Sequence, residues 1–185
     1  MVFQIMEDRI LVWRFNHGRP EVLHHVYDKY RTDLLTLAMA LLGDLGAAED
    51  VVQDVFLSLL RLSGRLRFTG SLKGYLATCV VNGARNVIRA HRRHPMSELD
   101  EADPIPAEDM RPDDAAVIEE QLDQLKWALG QLPDQQREVL VLRVYGRMPF
   151  KEIARQQGIS TNTALGRYRY AIDRLRSMLD GEVRR

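Results

Sequence analysis

Small residues recur in Phe150–Ala171 at the spacing that two closely crossing helices require. Ala154 stands where a partner backbone must approach, and Gly158 supplies a left-handed turn four residues later. Ser160 or Thr161 then caps a second helix. This pattern predicts a helix-turn-helix whose second helix contacts double-stranded DNA. The alternative is an ordinary helical hairpin with a glycine between its arms.

The second helix of this unit has an inner and an outer side. Ala164, Tyr168 and Ala171 recur at helical spacing and predict the buried stripe. The residues near its start are placed for base edges, and the arginines for phosphates or bases. The DNA-contacting set that we predict is Ser160, Thr161, Asn162, Thr163, Leu165, Gly166, Arg167 and Arg169.

Charges are sorted along the chain, although their sum is zero. Residues 96–125 carry a net charge of −10, between a net +4 before them and a net +6 after them. Residues 61–97 contain no acid and eight cations, which predict a polyanionic partner. These cations are Arg61, Arg65, Arg67, Lys73, Arg85, Arg89, Arg92 and Arg93.

Catalytic and metal-binding patterns are missing from the sequence. His91 and His94, and the pair His24 and His25, have no cysteine or acid at ligand spacing. Cys79 is the single cysteine, so it forms no internal disulfide, and we expect it to be a buried small side chain. No phosphate-binding loop or nucleophile motif occurs. We therefore expect no enzyme activity and no cofactor. The longest apolar run, Leu34–Leu42, is about half as long as a membrane-spanning helix, and the start of the sequence is unlike a signal peptide, so we expect no membrane insertion and a cytoplasmic location.

Apolar residues recur at spacings of three and four residues along almost the whole chain, which predicts an all-α protein. Helices are expected over residues 21–42, 47–62, about 71–92, from about 113, over 135–145 and through the helix-turn-helix. Between them, 95–112 alternates prolines with acids and loses helical periodicity. The prediction is two small helical domains, 1–94 and 113–185, joined by an acidic flexible linker, 95–112.

Four stretches in this order carry a family signature: Leu23–Tyr30 (LHHVYDKY), Ala48–Leu60 (AEDVVQDVFLSLL), Phe68–Arg89 and Leu132–Leu142 (LPDQQREVLVL). Together they resemble the sigma factors of bacterial RNA polymerase, specifically the extracytoplasmic-function (ECF) group. The resemblance implies that the two domains are sigma regions 2 and 4. It also implies that the chain binds core RNA polymerase, recognises the −10 and −35 promoter elements and initiates transcription.

In that family, the helix matching 47–60 docks on a coiled coil of the largest polymerase subunit. The resemblance therefore implies contacts from Glu49, Asp50, Gln53 and Asp54, which share the polar side of this helix. Carboxylates facing basic polymerase side chains would set register and association rate. A solvated charged face is the alternative.

The basic stretch matches the part of the family that opens the downstream promoter element and holds its non-template strand. Cations would hold the backbone, while Phe68 in the preceding loop would stack on an extruded base. Tyr75 stands where a tryptophan is common, and we interpret it as a core residue. The implied downstream-element set is Arg65, Arg67, Phe68, Lys73, Asn82, Arg85, Arg89, Arg92 and Arg93.

The recognition helix departs from the common ECF pattern. Where that pattern reads Val, Lys, Ser, Arg, Leu, this chain reads Ala164–Tyr168, and only Arg167 matches. Leu165 replaces a frequent cation, and Gly166 would allow a close approach of the helix backbone to DNA. The promoter sequence is therefore not predicted.

The family further implies an anti-sigma factor that rearranges the two domains, and an acidic linker that threads the RNA exit path. An inert tether is the alternative for that linker. The whole chain has two alternative functional interpretations. A stand-alone DNA-binding regulator would explain the helix-turn-helix but not 47–93, and a pure interaction protein would need no DNA contact.

Overall fold

The computed structural model describes residues 10–17, 22–62, 71–93 and 112–182, with side chains of 120–180 in the last range. Every regular element within these ranges is an α-helix, as predicted. Three predicted DNA-contacting residues, Arg65, Arg67 and Phe68, lie outside the described residues. So does most of the predicted linker, 95–111.

Each predicted helix begins within two residues of its expected start. Local turn signals explain this agreement: Gly43 ends one helix with φ +72°, and the Asp44 carboxylate accepts a hydrogen bond from the Ala47 backbone N–H at 2.6 Å to start the next. In chain order the helices are α1 (residues 10–16), α2 (Val22–Leu42), α3 (Leu45–Arg61), α4 (Leu72–Arg93), α5 (Pro112–Gly130), α6 (Asp134–Val144), α7 (Phe150–Gln157) and α8 (Thr161–Glu182).

The first bundle consists of α2, α3 and α4, which pack on one another in all three pairings. The predicted apolar stripe of α2 is buried along its length, from Val22 to Leu41. A close crossing joins α3 to α4 at Gly83, where an added Cβ would lie 2.8 Å from Val51 Cγ1. This glycine therefore sets how near the two helices approach.

The second bundle places α5, α6 and α7 against the long helix α8. Val139 and Leu142 of α6 are fully buried, as the apolar run predicted. Ala164 and Ala171 are the fully buried small residues of α8, which allow the shorter helices to approach it closely. Leu122 of α5 is 51% exposed.

The two bundles are in contact. Helix α6 packs on α2 and α4, and Val139, Leu142 and Met148 belong to the same buried cluster as Leu37 and Ala77. Within the described ranges, no helix is long and apolar enough to cross a bilayer. The domain bounds, 1–94 and 113–185, stay a prediction. The sequence pattern did not reveal that these two parts of the chain share a core.

Candidate polymerase and DNA interfaces

The acidic face of α3 is solvent-facing, as predicted. Glu49, Asp50, Gln53 and Asp54 are all exposed, while Val52 and its apolar neighbours on the other side are buried. The four predicted side chains are thus on one accessible surface.

An apolar groove of about 560 Å³ lies beside this face, between α2 and α3. Tyr27 and Phe56 meet in it edge to face, with ring centroids 4.9 Å apart, and Leu57 and Leu60 are 40% and 53% exposed. Glu49 and Gln53 form part of its wall. The groove therefore has an apolar floor and an acidic rim.

Sequence reasoning missed Tyr27, Leu57 and Leu60 as candidate contacts. A signal was available for Leu57 and Leu60, because apolar residues on α3 extend beyond the one stripe that a core needs. The Arg31 guanidinium lies 5.9 Å from the Tyr27 ring centroid and 3.9 Å from the Glu49 carboxylate. It therefore bridges the aromatic floor and the acidic rim.

The predicted DNA-contacting residues of α4 do not share one environment. Asn82, Arg89 and Arg93 are exposed. Lys73 is instead buried and pairs with Asp33 of α2. Its prediction as a DNA contact is therefore not supported, because its ammonium joins two helices rather than facing solvent.

Arg85 and Arg92 also differ from the prediction of an open DNA surface, since both pair with α6. The Arg85 guanidinium donates Nε–H to Glu138 Oε1 at 2.6 Å and makes a second, parallel hydrogen bond to Oε2. That hydrogen bonding raises the pKa of Arg85 above its usual value, against the effect of burial. Arg92 Nη2 lies 2.7 Å from Asp134 Oδ2.

The helix-turn-helix has the geometry that its sequence predicted. Gly158 has φ +66° and ψ +32°, the left-handed conformation that glycine adopts at no steric cost. The Ile159 N–H donates to the Ala154 carbonyl across this turn at 3.0 Å. Ser160, rather than Thr161, caps α8, because its Oγ accepts from the Thr163 N–H at 3.0 Å.

The outward face of α8 contains most of the predicted contacts. Thr161, Asn162 and Arg169 are exposed, while Leu165, Gly166 and Arg167 are partly exposed. Thr163 is exposed, and its hydroxyl also pairs with the cap, 2.8 Å from Ser160 Oγ. Gly166 has open space around it, with no atom within 4 Å of an added Cβ.

Tyr170 is a further candidate on this face, and sequence reasoning missed it. It is 69% exposed and lies one turn after Gly166. At 100° per residue, positions 162, 166, 170 and 173 fall on one side of a helix, so the helical spacing contained this signal. Tyr168 instead packs inward against Phe150, with ring centroids 5.3 Å apart.

Two family models match the chain. That for Sigma-70 region 2 matches residues 26–94, and that for Sigma-70, region 4 matches residues 128–177. The chain belongs to the sigma-70 family, in its ECF group. Residues 26–94 are therefore called region 2, and residues 128–177 are called region 4. The family is one of transcription initiation factors.

Curated sigma factors resemble the chain over most of its length. The RNA polymerase sigma factor CarQ of Myxococcus xanthus is 28% identical over 172 residues, covering 92% of this chain and 95% of CarQ. The ECF RNA polymerase sigma factor SigK of Mycobacterium tuberculosis is 27% identical over 157 residues, covering 83% of both. These similarities extend over most of the length of each relative as well.

Two solved structures share the fold. CnrH, solved in complex with the cytosolic domain of CnrY, has a TM-score of 0.68 and 22% identity, covering 94% of this chain and 97% of CnrH. The sigma factor RpoE, solved with the anti-sigma factor NepR from Bartonella quintana, has a TM-score of 0.68 and 22% identity, covering 85% and 96%. The likeness spans both regions.

Proposed function

We propose that this ECF sigma factor directs core RNA polymerase to promoters through three surfaces. The α2–α3 groove with its acidic rim docks on polymerase, α4 and the preceding loop hold the melted downstream element, and the outer face of α8 reads the upstream element. The observation that carries this proposal is the presence of both sigma regions in one chain. A stand-alone regulator would account for region 4 alone.

The polymerase surface is argued from its composition. Aromatic side chains in a concave site are common anchors of protein interfaces, and the exposed Leu57 and Leu60 add apolar area that a partner can bury. The carboxylates of Glu49, Asp50 and Asp54 add a field that favours a basic partner and fixes its register. We therefore assign to this groove a helix of the polymerase's largest subunit with an apolar stripe and basic flanks.

The downstream-element surface consists of Asn82, Arg89 and Arg93, together with the proposed loop contacts Arg65, Arg67 and Phe68. Guanidinium groups bind phosphate by paired hydrogen bonds, so arginines in a row on one helix track a nucleic-acid backbone. Arg85 and Arg92 join this surface once they leave their carboxylate partners on α6. Promoter melting on polymerase then requires this chain to bind DNA but not to make or break covalent bonds. We therefore infer that the chain has no enzyme activity.

The upstream-element surface is α8. Thr161, Asn162 and Arg169 present hydrogen-bonding groups, Leu165 offers an apolar contact for a thymine methyl, and Tyr170 extends the face. An anti-sigma factor is the proposed regulator, in line with the complex reported for the relative RpoE. The proposed site of action is the cytoplasm, where promoters and polymerase meet.

The test is run-off transcription with core polymerase on promoters mapped by genome-wide binding. Leu60→Glu places a charge on the groove floor, and we expect it to weaken core binding at least tenfold, because a carboxylate buried against apolar surface is strongly unfavourable. Leu122→Glu is the matched control, since Leu122 is 51% exposed on α5 and Leu60 is 53% exposed.

Two results would refute the proposal. A wild-type chain that neither co-purifies with core polymerase nor supports run-off transcription would reject the sigma function. Equal core binding by both leucine variants would reject the groove as the docking surface.

A further inference from the structure

A glutamine of α7 ties down one arginine of the recognition helix. Arg167 Nη1 donates a hydrogen bond to Gln157 Oε1 at 3.1 Å, and Gln157 Nε2 donates to Glu138 Oε2 at 2.9 Å. Because the two ends of the Gln157 amide have different partners, only one orientation of this side chain satisfies both. The three residues belong to α6, α7 and α8, so the contact lies entirely within region 4.

Burial makes this tether more rigid than a surface contact. Glu138 is only 8% exposed, and Gln157 and Arg167 are both partly buried. Hydrogen bonds shielded from water are electrostatically stronger than those in bulk solvent. An arginine without such a contact samples many rotamers and loses that freedom when it binds. The Arg167 side chain has already lost part of this freedom in the folded chain.

The position of Arg167 is at the edge of α8 and not on its outer face. Ala164 and Ala171, three residues before it and four residues after it, are fully buried, so Arg167 borders the buried stripe. Consecutive helical residues are about 100° apart, which places Arg167 well to one side of Asn162 and Arg169. In the major groove, the outer face of a recognition helix meets base edges, and its flanks meet the sugar-phosphate walls.

The tether also brings the Arg167 guanidinium towards α7. In a helix-turn-helix the first helix crosses the DNA backbone, and Gln157 is the last residue of that helix here. A guanidinium has five N–H donors, and the bond to Gln157 uses one of them. The remaining donors can form the paired hydrogen bonds with which arginine binds phosphate.

We propose that Arg167 contacts a phosphate of the upstream promoter element and that Gln157 is its positioning residue. Arg167 then fixes where α8 lies in the groove without reading a base, whereas Arg169, on the outer face, reads a base edge. This inference rests on the proposed function for the DNA role of α8. It distinguishes two arginines that the sequence alone left open to either phosphates or bases.

The phosphate contact is tested by neutralising single phosphates of the upstream element. The full chain, loaded on core polymerase, binds promoter duplexes in which one linkage at a time is an uncharged methylphosphonate. One linkage should weaken wild-type binding by about tenfold, the usual effect of losing a charge-assisted hydrogen bond. The same linkage should have no effect on Arg167→Gln, because that variant has already lost the contact.

Sequence selectivity and salt dependence separate the two arginines. Arg167→Gln should weaken binding to every single-base variant of the upstream element by a similar factor. It should also reduce the slope of log affinity against log salt concentration by about one. Arg169→Gln is the contrasting variant, and it should relax selectivity at one base pair.

The positioning role is tested by Gln157→Met, which removes the tether but keeps the side-chain length and every charge. Promoter affinity should fall by roughly two- to tenfold, because Arg167 must then be immobilised when DNA binds. Gln156→Met is the matched control, since the buried amide of Gln156 has no hydrogen-bond partner among the described residues. This control should bind the promoter as the wild type does.

A double variant provides a readout that a purely structural role would not change. In an Arg167→Gln background, Gln157→Met should cause no further loss of promoter affinity, because the two residues act through one contact. Thermal unfolding followed by circular dichroism controls for folding of each variant. An equal loss with and without Arg167 would overturn the positioning role of Gln157.

The outcomes distinguish this inference from the proposed function. Wild-type promoter affinity of Arg167→Gln, or a loss confined to one base pair, would overturn the phosphate contact and leave the sigma function intact. A wild-type chain that binds core polymerase but no promoter would overturn the proposed function, and the inference with it.

Discussion

Replacing Gly166 by alanine tests how the recognition helix meets DNA. The glycine lies inside α8, and an added Cβ would have no atom within 4 Å. Nothing in the free chain therefore requires a glycine there. If DNA approaches the helix backbone at this position, the methyl group will obstruct binding while it stabilises the protein.

The expected gain in stability follows from helix propensity. The helix propensity of alanine is about 1 kcal/mol more favourable than that of glycine in a helix interior. This difference corresponds to a rise in Tm of roughly 2–4 °C for a chain of 185 residues that unfolds as one unit. Gly83→Ala is the contrasting variant, since its Cβ would lie 2.8 Å from the buried Val51 Cγ1. Overpacking costs about 1–3 kcal/mol, so this second variant should be no more stable than the wild type.

The expected loss in binding is about tenfold at the upstream element, equivalent to about 1.4 kcal/mol. Thermal unfolding by circular dichroism measures the first effect, and competition between promoter fragments for polymerase loaded with each variant measures the second. Gly166→Ala binding as tightly as the wild type would refute the close backbone approach. A lower Tm for Gly166→Ala would refute the open space around the glycine.

Further predictions concern salt and two side chains of α4. If the arginine surfaces contact about six phosphates, promoter affinity should fall roughly a thousandfold between 50 and 200 mM salt, and a flat response would count against both surfaces. Cys79 was expected to be buried but is only partly buried, and this burial raises the pKa of its thiol. Iodoacetamide should therefore modify it more slowly in the native chain than in urea at pH 8; equal rates would contradict this partial burial. Burial also raises the pKa of Tyr75 to about 12, so native stability should fall as pH rises from about 10 to 12, because the unfolded tyrosine ionises first. Tyr75→Phe should lessen that fall and remove a late step from the absorbance titration at 295 nm, and an unchanged titration would contradict the assignment.

Helix positions were predictable because local residues determine them. Gly43 and Gly158 end helices in the left-handed conformation that their sequence contexts indicated, and Asp44 and Ser160 cap the helices that follow. These signals act within a few residues, so they need no knowledge of the rest of the fold. The helix-turn-helix is predictable for the same reason.

Partners distant in sequence were not predictable. Lys73 has the spacing of a DNA-binding cation, yet its partner is Asp33, which lies 40 residues earlier. Leu140 and its neighbours in α6 are buried, but the apolar pattern of a helix does not indicate which other helices cover it. The docking of α6 on region 2 depends on shape, on Gly74 and Gly146 where the backbones approach each other, and on the buried Glu138, whose partner Arg85 is known only from the folded chain.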